Sequence, residues 1–363
     1  MAASEFFAES FREAREKFLH ALQGAGGSTL ASYENPAKGP SGEGLWTDVG
    51  CVGPADAAKL LVLISGTHGA EGFCGSGCHT GWLGAGHAGH DLPPDMAVVF
   101  VHAINPHGFA WVRRVNEDNV DLNRNFIDHG KKRPVNADYA ALEEWVNPLE
   151  WSSEVLTRAD AAIAAYYGNP KDDFLPKAIH GGQYINPKGT FYGGERAVWS
   201  NRTLREIVAK WLGRAKDICV IDYHTGGGVY GFCDLYVDDK KAGIRSRRWF
   251  EHCTAMEDMQ AEHGHNQAEV PGLLMYVPEQ ILTGARVTSC LVEMRTERNR
   301  EMLRALREEN WFFQHGDPDS QRGREIRAEL KERFYPSAPE WRAMVLRQSN
   351  AMIHEALTGL AER

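Results

Sequence analysis

Four short apolar runs constrain this chain more than any other feature: Lys59 to Gly66, Met96 to Ile104, Asp217 to His224 and Thr288 to Arg295. Each is strand-sized and nearly free of polar alternation, the pattern of a strand buried on both faces. Helical patterns separate or follow them: Leu204, Ile207, Val208, Trp211 and Leu212, then 244–263, then 297–313. This alternation predicts an α/β fold with a sheet that is at least partly parallel. With 363 residues, 43% hydrophobic and 25% charged, the chain can bury a large core and is neither disordered nor fibrous in kind. At about 150 residues per domain the length suggests roughly two domains, although one large α/β core with decorations accommodates it equally.

The decorations can be placed. Phe7, Phe11, Ala14, Phe18 and Ala21 share one face of an N-terminal helix, and the Gly-, Pro- and Ser-rich segment from Ser28 to Asp56 reads as loop and edge strand. We therefore expect an N-terminal helix and surface segment over 1–58, a core over 59–300 and a C-terminal helical extension over 301–363 packed on the core. An insertion at about 131–198 holds an Ala-rich helical stretch broken at Pro148 and a Gly- and aromatic-rich run over 181–194. The last helix is expected to open with a capping box at Ser337 to Glu340, with Trp341, Met344, Val345 and Met352 on its apolar side.

Several classes of function are disfavoured. The net charge of −9 and the lack of a Lys/Arg stripe argue against a nucleic-acid partner. No apolar run approaches the roughly 20 residues of a membrane span, and the N-terminus lacks a signal-peptide pattern. Seven cysteines without a C-x-x-C pair indicate neither a disulfide framework nor a thiolate zinc knuckle, so reduced thiols in a cytoplasmic protein are expected. Gly84 to Gly89 matches G-x-G-x-x-G, but no strand precedes it and Pro93-Pro94 lie just beyond it, so it reads as a loop and not a dinucleotide site. His87 with His90, and His263 with His265, read as solvated histidines. The sequence leaves homo-oligomer formation open.

The polar residues at the ends of the apolar runs are more informative. His68 and Glu71 come after the first, Asn105 to Gly108, Arg113, Arg114 and Asp121 to Phe126 after the second, His224 ends the third, and the fourth carries Glu293. In open α/β sheets ligands bind outside the carboxyl ends of the strands, so these residues can meet in one crevice. Two imidazoles and one carboxylate, from His68, His224 and Glu71, suit a single Zn2+ ion with an open position for water. The H-x-x-E spacing alone is a weak signal, since the chain has 15 histidines and 49 acids. Asp222 and Asp121 are candidates to orient an imidazole or Arg114, because metal-binding histidines usually donate their other N–H to an acceptor.

Taken in order, HGAEG, NPHGF, R-x8-N within Arg114 to Asn123, DLNRNF, DYH and E-x-R resemble the zinc carboxypeptidase clan, and more distantly the aspartoacylase and succinylglutamate desuccinylase group. The Gln183-Tyr184 and Phe191 to Gly194 stretch resembles an uncharacterised branch of that clan, one labelled only as a domain of unknown function. The resemblance covers about 59–296. It implies a three-layer α/β/α sandwich around a mixed, largely parallel eight-stranded sheet. It also implies that His68, Glu71 and His224 bind zinc, that Arg114 polarises the scissile carbonyl, and that Asn123 and Arg124 clamp a terminal carboxylate. Glu293 resembles the catalytic glutamate, and Tyr276 or its rival Tyr192 the mobile active-site tyrosine. The usual NPDG reads NPHG here, with His107 in place of the acid, which removes no catalytic group.

The activity so implied is that of a zinc-dependent metallocarboxypeptidase-like hydrolase. It cleaves an amide bond next to a free carboxylate on a small peptide, with Glu293 as general base for a zinc-activated water. The alternative is a zinc amidohydrolase that deacylates N-acyl amino acids with the same centre and a smaller pocket.

Overall fold

The computed structural model describes residues 3–54, 56–86, 92–167, 177–237, 243–255, 270–297 and 299–362. Its strands are β1 (Ser28–Lys38), β2 (Gly44–Val52), β3 (Lys59–Ile64), β4 (Met96–His102), β5 (Asp217–Gly226), β6 (Cys233–Val237), β7 (Thr254–Ala255) and β8 (Arg286–Arg295). They form one mixed sheet in the order β1-β2-β4-β3-β5-β8-β6-β7, seven strands of five residues or more with the two-residue β7 at the edge. The centre is parallel, β4-β3-β5-β8, while β1, β2 and β6 join antiparallel.

Burial on both faces explains why the strands read as continuous apolar runs. In β3, Leu61 and Leu63 enter one cluster while Leu60, Val62 and Ile64 enter another. In β5, Cys219, Ile221 and Tyr223 face the first cluster, and Ile218 and Val220 the second. Each fully buried aliphatic or aromatic side chain contributes about 1.5–3 kcal/mol, so the strands alone supply a strong drive to sandwich the sheet. The first face is covered by helices α1 (Phe11–Gly24), α2 (Gly72–Gly84) and a C-terminal helix, Pro339–Ala361, whose Trp341, Val345, Ile353 and Leu360 are buried there. The second is covered by Leu204 and Ile207 of helix Trp199–Ile207, with Val208 and Leu212 beyond it and Val120, Leu122 and Phe126 of the preceding loop. A satellite cluster joins Ala70 to Tyr139, Leu142 and Val146 of the insertion and to Leu303, Leu306, Leu330 and Phe334 of the C-terminal helices Asn299–His315 and Gln321–Phe334.

The four predicted strands are β3, β4, β5 and β8, and the insertion carries helices Ala137–Val146 and Ser153–Tyr167 on either side of Pro148. Three expectations need correcting. The helix expected over 244–263 is helical over Gly243–Trp249, after which Thr254–Ala255 pairs with β6; 256–269 lie outside the described residues. The C-terminal helix forms without its capping box, since Pro339 takes the first helical position behind Ala338 and the Ser337 hydroxyl turns to Glu332 at 3.1 Å. The segment 28–56 supplies two long sheet strands, with Leu45, Val49 and Val52 buried, so the core begins before residue 59. His90 and His87, like His263 and His265, lie outside the described residues. Among the described residues no helix is long and apolar enough to cross a membrane.

Candidate metal centre

The strand register brings distant residues to one edge. On β5 and β8, His224 and Glu293 are direct parallel partners, and Asp234 of β6 is the antiparallel partner of Glu293. Side chains directly opposite each other share a face, so three strands present His224, Glu293 and Asp234 in a row. Next to them, β3 ends at Ile64 and the chain turns through Gly66, at φ 74°, into His68 and the short turn Gly69–Glu71 that starts α2. Gly69 is required here, because a Cβ would collide with the Gly108 backbone.

His68, Glu71 and His224 are buried and their ligand atoms lie within 4.8 Å of one another. The hydrogen bonds fix how the rings present themselves. His68 Nε2 meets Asp121 Oδ1 at 3.1 Å, and His224 Nε2 meets Asp222 Oδ2 at 2.8 Å. Each carboxylate takes an Nε2–H, which leaves both Nδ1 lone pairs turned inward. The two Nδ1 atoms are 3.2 Å apart, and each is 2.9 Å from an oxygen of Glu71. Three acceptors thus converge with no donor among the neutral forms, which a divalent cation satisfies. The donor set therefore fits zinc.

The acceptors are themselves held. Thr67 Oγ1 donates to Asp222 Oδ1 at 2.7 Å, and Thr225 N donates to Glu71 Oε2 at 3.1 Å. Asp121 also accepts from Arg114 Nε at 2.9 Å and from Asn123 N at 3.0 Å. Burial pushes the carboxyls of Glu71 and Asp121 up, but His68 with His224, and Arg114 with His68, override it and hold both well below the usual carboxylate range. Glu293 behaves oppositely: burial raises its pKa, Arg295 two residues on pulls it back, and Glu71 raises it again. Gly226 leaves room for that carboxylate, since a Cβ there would lie 2.0 Å from Glu293 Oε1.

Arg114 reaches toward the same centre, with Nη1 3.5 Å from Glu71 Oε1 and its guanidinium 4.9 Å above the Phe191 ring. Its neighbour Arg113 anchors the loop, donating from Nε to Glu309 Oε1 at 2.5 Å and lying 3.5 Å over the ring of Phe313. Arg124 is fully buried and, among the described residues, touches no carboxylate. Its Nη1 donates to Asn123 O at 2.7 Å, its Nη2 donates to His180 O, and among the described residues Nε has no partner. Burial lowers its pKa, and Asp121 only partly offsets this. Each Nη carries a second N–H proton.

Asn123 sits beside His224, with Nδ2 3.4 Å from Nε2, and its Oδ1 accepts from Leu274 N at 2.9 Å. That contact ties the turn Leu274–Tyr276 to the site, and the half-buried Tyr276 packs on the cluster of Tyr236, Leu273, Met275 and Leu291. Tyr192 contributes its backbone, whose O accepts from Asp121 N at 2.8 Å, while its ring is buried in the second-face cluster and its hydroxyl responds to Glu195 and Arg133. Sequence reasoning quoted Arg295 and Tyr184 within motifs without giving them a site role, and it did not single out His180. Arg295 donates from Nε to Asp234 Oδ2 at 2.5 Å, and Tyr184 donates from its hydroxyl to Arg124 O at 2.5 Å. The E-x-R motif contains Arg295; nothing in the local pattern marks His180.

The family described as "Protein of unknown function (DUF2817)" matches residues 7–348. The chain belongs to this family. No curated protein matches the DUF2817 chain. Among solved structures, it is similar to the carboxypeptidase A of Helicoverpa armigera, at 13% identity and a TM-score of 0.45 over 89% of this chain and 73% of the other. A metallo-carboxypeptidase from Burkholderia cenocepacia gives 16% identity and a TM-score of 0.43 over 98% and 70%. The succinylglutamate desuccinylase of Chromobacterium violaceum gives 16% and 0.35 over 89% and 77%.

Proposed function

We propose that this protein is a zinc-dependent, metallocarboxypeptidase-like hydrolase that cleaves an amide bond next to a free carboxylate. The observation that carries this reading is the inward convergence of His68 Nδ1, His224 Nδ1 and Glu71, each imidazole locked by its own carboxylate. His68, Glu71 and His224 would hold one Zn2+ ion, which supplies Lewis acidity toward a carbonyl and lowers the pKa of water. Glu293, raised above an ordinary glutamate and beside His224 in the register, accepts the proton of the attacking water and returns it to the departing amine. Arg114 donates to the oxyanion that develops on the carbonyl, an effect worth about 3–4 kcal/mol for a well-aimed donor. Arg124 binds the free carboxylate with its two remaining Nη protons.

A second reading has its own support. The covering of Arg124 by His180, Gly182 and Tyr184 encloses the carboxylate end of the crevice, which suits a small N-acyl amino acid. The test is mass-spectrometric product analysis of the zinc-loaded protein on free-carboxyl peptides, their C-terminal amides and N-acyl amino acids, with Glu293→Gln as control. Release of single C-terminal residues from the free acids alone supports the carboxypeptidase, and turnover of N-acyl amino acids alone selects the deacylase. Turnover of amides as readily as acids overturns both.

A further inference from the structure

The segment that covers Arg124 carries a second unsatisfied polar group. The short helix Lys177–His180 ends at the residue whose carbonyl accepts from Arg124 Nη2. Its ring atom His180 Nδ1 is buried and, among the described residues, has no hydrogen-bond partner. Leaving such a group unpaired is unfavourable, and native structures retain one mainly where a ligand or water completes it.

The surroundings indicate which ligand. Arg124, Arg114, Asp121 and His68 are the charged groups that act on the ring, and the Phe191 ring stands edge-on at 6.5 Å. Burial first, then the two arginines, push the His180 pKa down to about 3, so the imidazole is neutral near pH 7 and has one N–H to give. Phe191 itself holds a left-handed φ of 56°, rare for a bulky side chain. Its backbone is fixed there by Gln183 N, which donates to Phe191 O at 3.0 Å. Strain of this kind persists where the surroundings over-determine it, typically at ligand clamps. In this chain it sets one aromatic ring against both Arg114 and His180.

We propose that His180 is a substrate-binding residue whose Nδ1–H, together with the guanidinium of Arg124, takes the two oxygens of the substrate's free carboxylate. The proposal rests on the free-carboxylate reading above. A neutral imidazole adds a directed hydrogen bond without a further buried charge. A primary amide would turn its NH2 group toward one of the two donors, so the pair discriminates acid from amide by donor geometry as well as by charge.

The test uses the full-length Glu293→Gln protein loaded with zinc, so that binding is read without turnover. N-acetyl-L-phenylalanine, -leucine, -glutamate and -lysine and their primary amides are titrated by calorimetry, and zinc content is measured alongside. The expected result is tighter binding of an acid than of its amide, weakened roughly tenfold by His180→Ala, with amide binding and zinc content unchanged. His180→Asn places a side-chain N–H2 near the position of Nδ1 and is expected to restore most of the loss. An equal effect on acid and amide, no effect on either, or loss of zinc overturns the role of His180. If Glu293→Gln itself prefers no acid over its amide, the free-carboxylate reading fails and this proposal fails with it. If that preference is present and His180→Ala leaves it intact, His180 alone is overturned.

Discussion

His68 and His224 face each other through Nδ1 atoms 3.2 Å apart, although 155 residues separate them in the chain. Each Nε2 is meanwhile engaged by an aspartate, Asp121 for His68 and Asp222 for His224. An arrangement of inward lone pairs is stable in proportion to the cation that fills it. Zinc at a hundredfold excess over its Kd is expected to stabilise the fold by about 2.7 kcal/mol, a rise of several degrees in Tm. Thermal melts with zinc and with chelator measure this, and His224→Ala is expected to abolish the difference. An unchanged difference in that variant would place the metal elsewhere.

Asp222→Asn keeps the side chain's shape but removes the carboxylate that accepts from His224 Nε2 and from Thr67 Oγ1. Zinc affinity is expected to fall roughly 10–100-fold. Competition against a chelating dye gives the number directly, and wild-type affinity would reduce Asp222 to a packing role.

Gly226→Ala tests the room left for the proposed general base. The added Cβ would lie 2.0 Å from Glu293 Oε1, the mobile end of a side chain, so the carboxylate yields and the backbone does not. A displacement near 1 Å can cost about a hundredfold in rate. We expect kcat to fall strongly while Tm and zinc content hold; a matching loss of Tm would mean the backbone has moved.

Arg124→Lys exchanges a planar fork for a point charge inside a cage of carbonyl oxygens. The expected outcome is a fall of roughly tenfold or more in kcat/KM on free-carboxyl substrates, with metal content unchanged. Loss of metal in that variant would assign Arg124 to the architecture of the loop.

Two buried histidines away from the site contribute to the pH dependence of stability. Among the described residues, His79 has both ring nitrogens buried without partners, and His102 lacks one at Nδ1. Burial pushes His102 down to about 4 and His79 well below the usual imidazole range. A histidine with a depressed folded pKa is protonated more readily in the unfolded chain. Stability is therefore expected to be full above about pH 6.5 and to decline as the pH falls toward 4. Urea titrations across that range measure the slope, and His79→Leu is expected to flatten it.

The parallel centre of the sheet was readable because burial on both faces leaves unbroken apolar runs, as in Leu60 to Ile64. β1 and β2 were harder. Asn35, Thr47 and Asp48 interrupt their apolar pattern, and those polar groups find partners as distant in the chain as Glu117, Ala103 and Arg15. Candidate ligands could be named from strand-end placement, since His68 and His224 each follow or end an apolar run. His180 could not. It lies in an insertion with no strand before it, and only the folded loop carries its carbonyl to Arg124.

The tether between Arg113 and Glu309 binds the tail to the chemistry. Glu309 lies in the C-terminal helix Asn299–His315, yet it anchors the residue next to Arg114, and Phe313 packs under the same guanidinium. Shortening the gene to end near codon 298 would strand the buried cation of Arg113 beside Arg114. Helix Asn299–His315 is therefore part of the support of the crevice, although it lies far beyond the crevice residues in the chain.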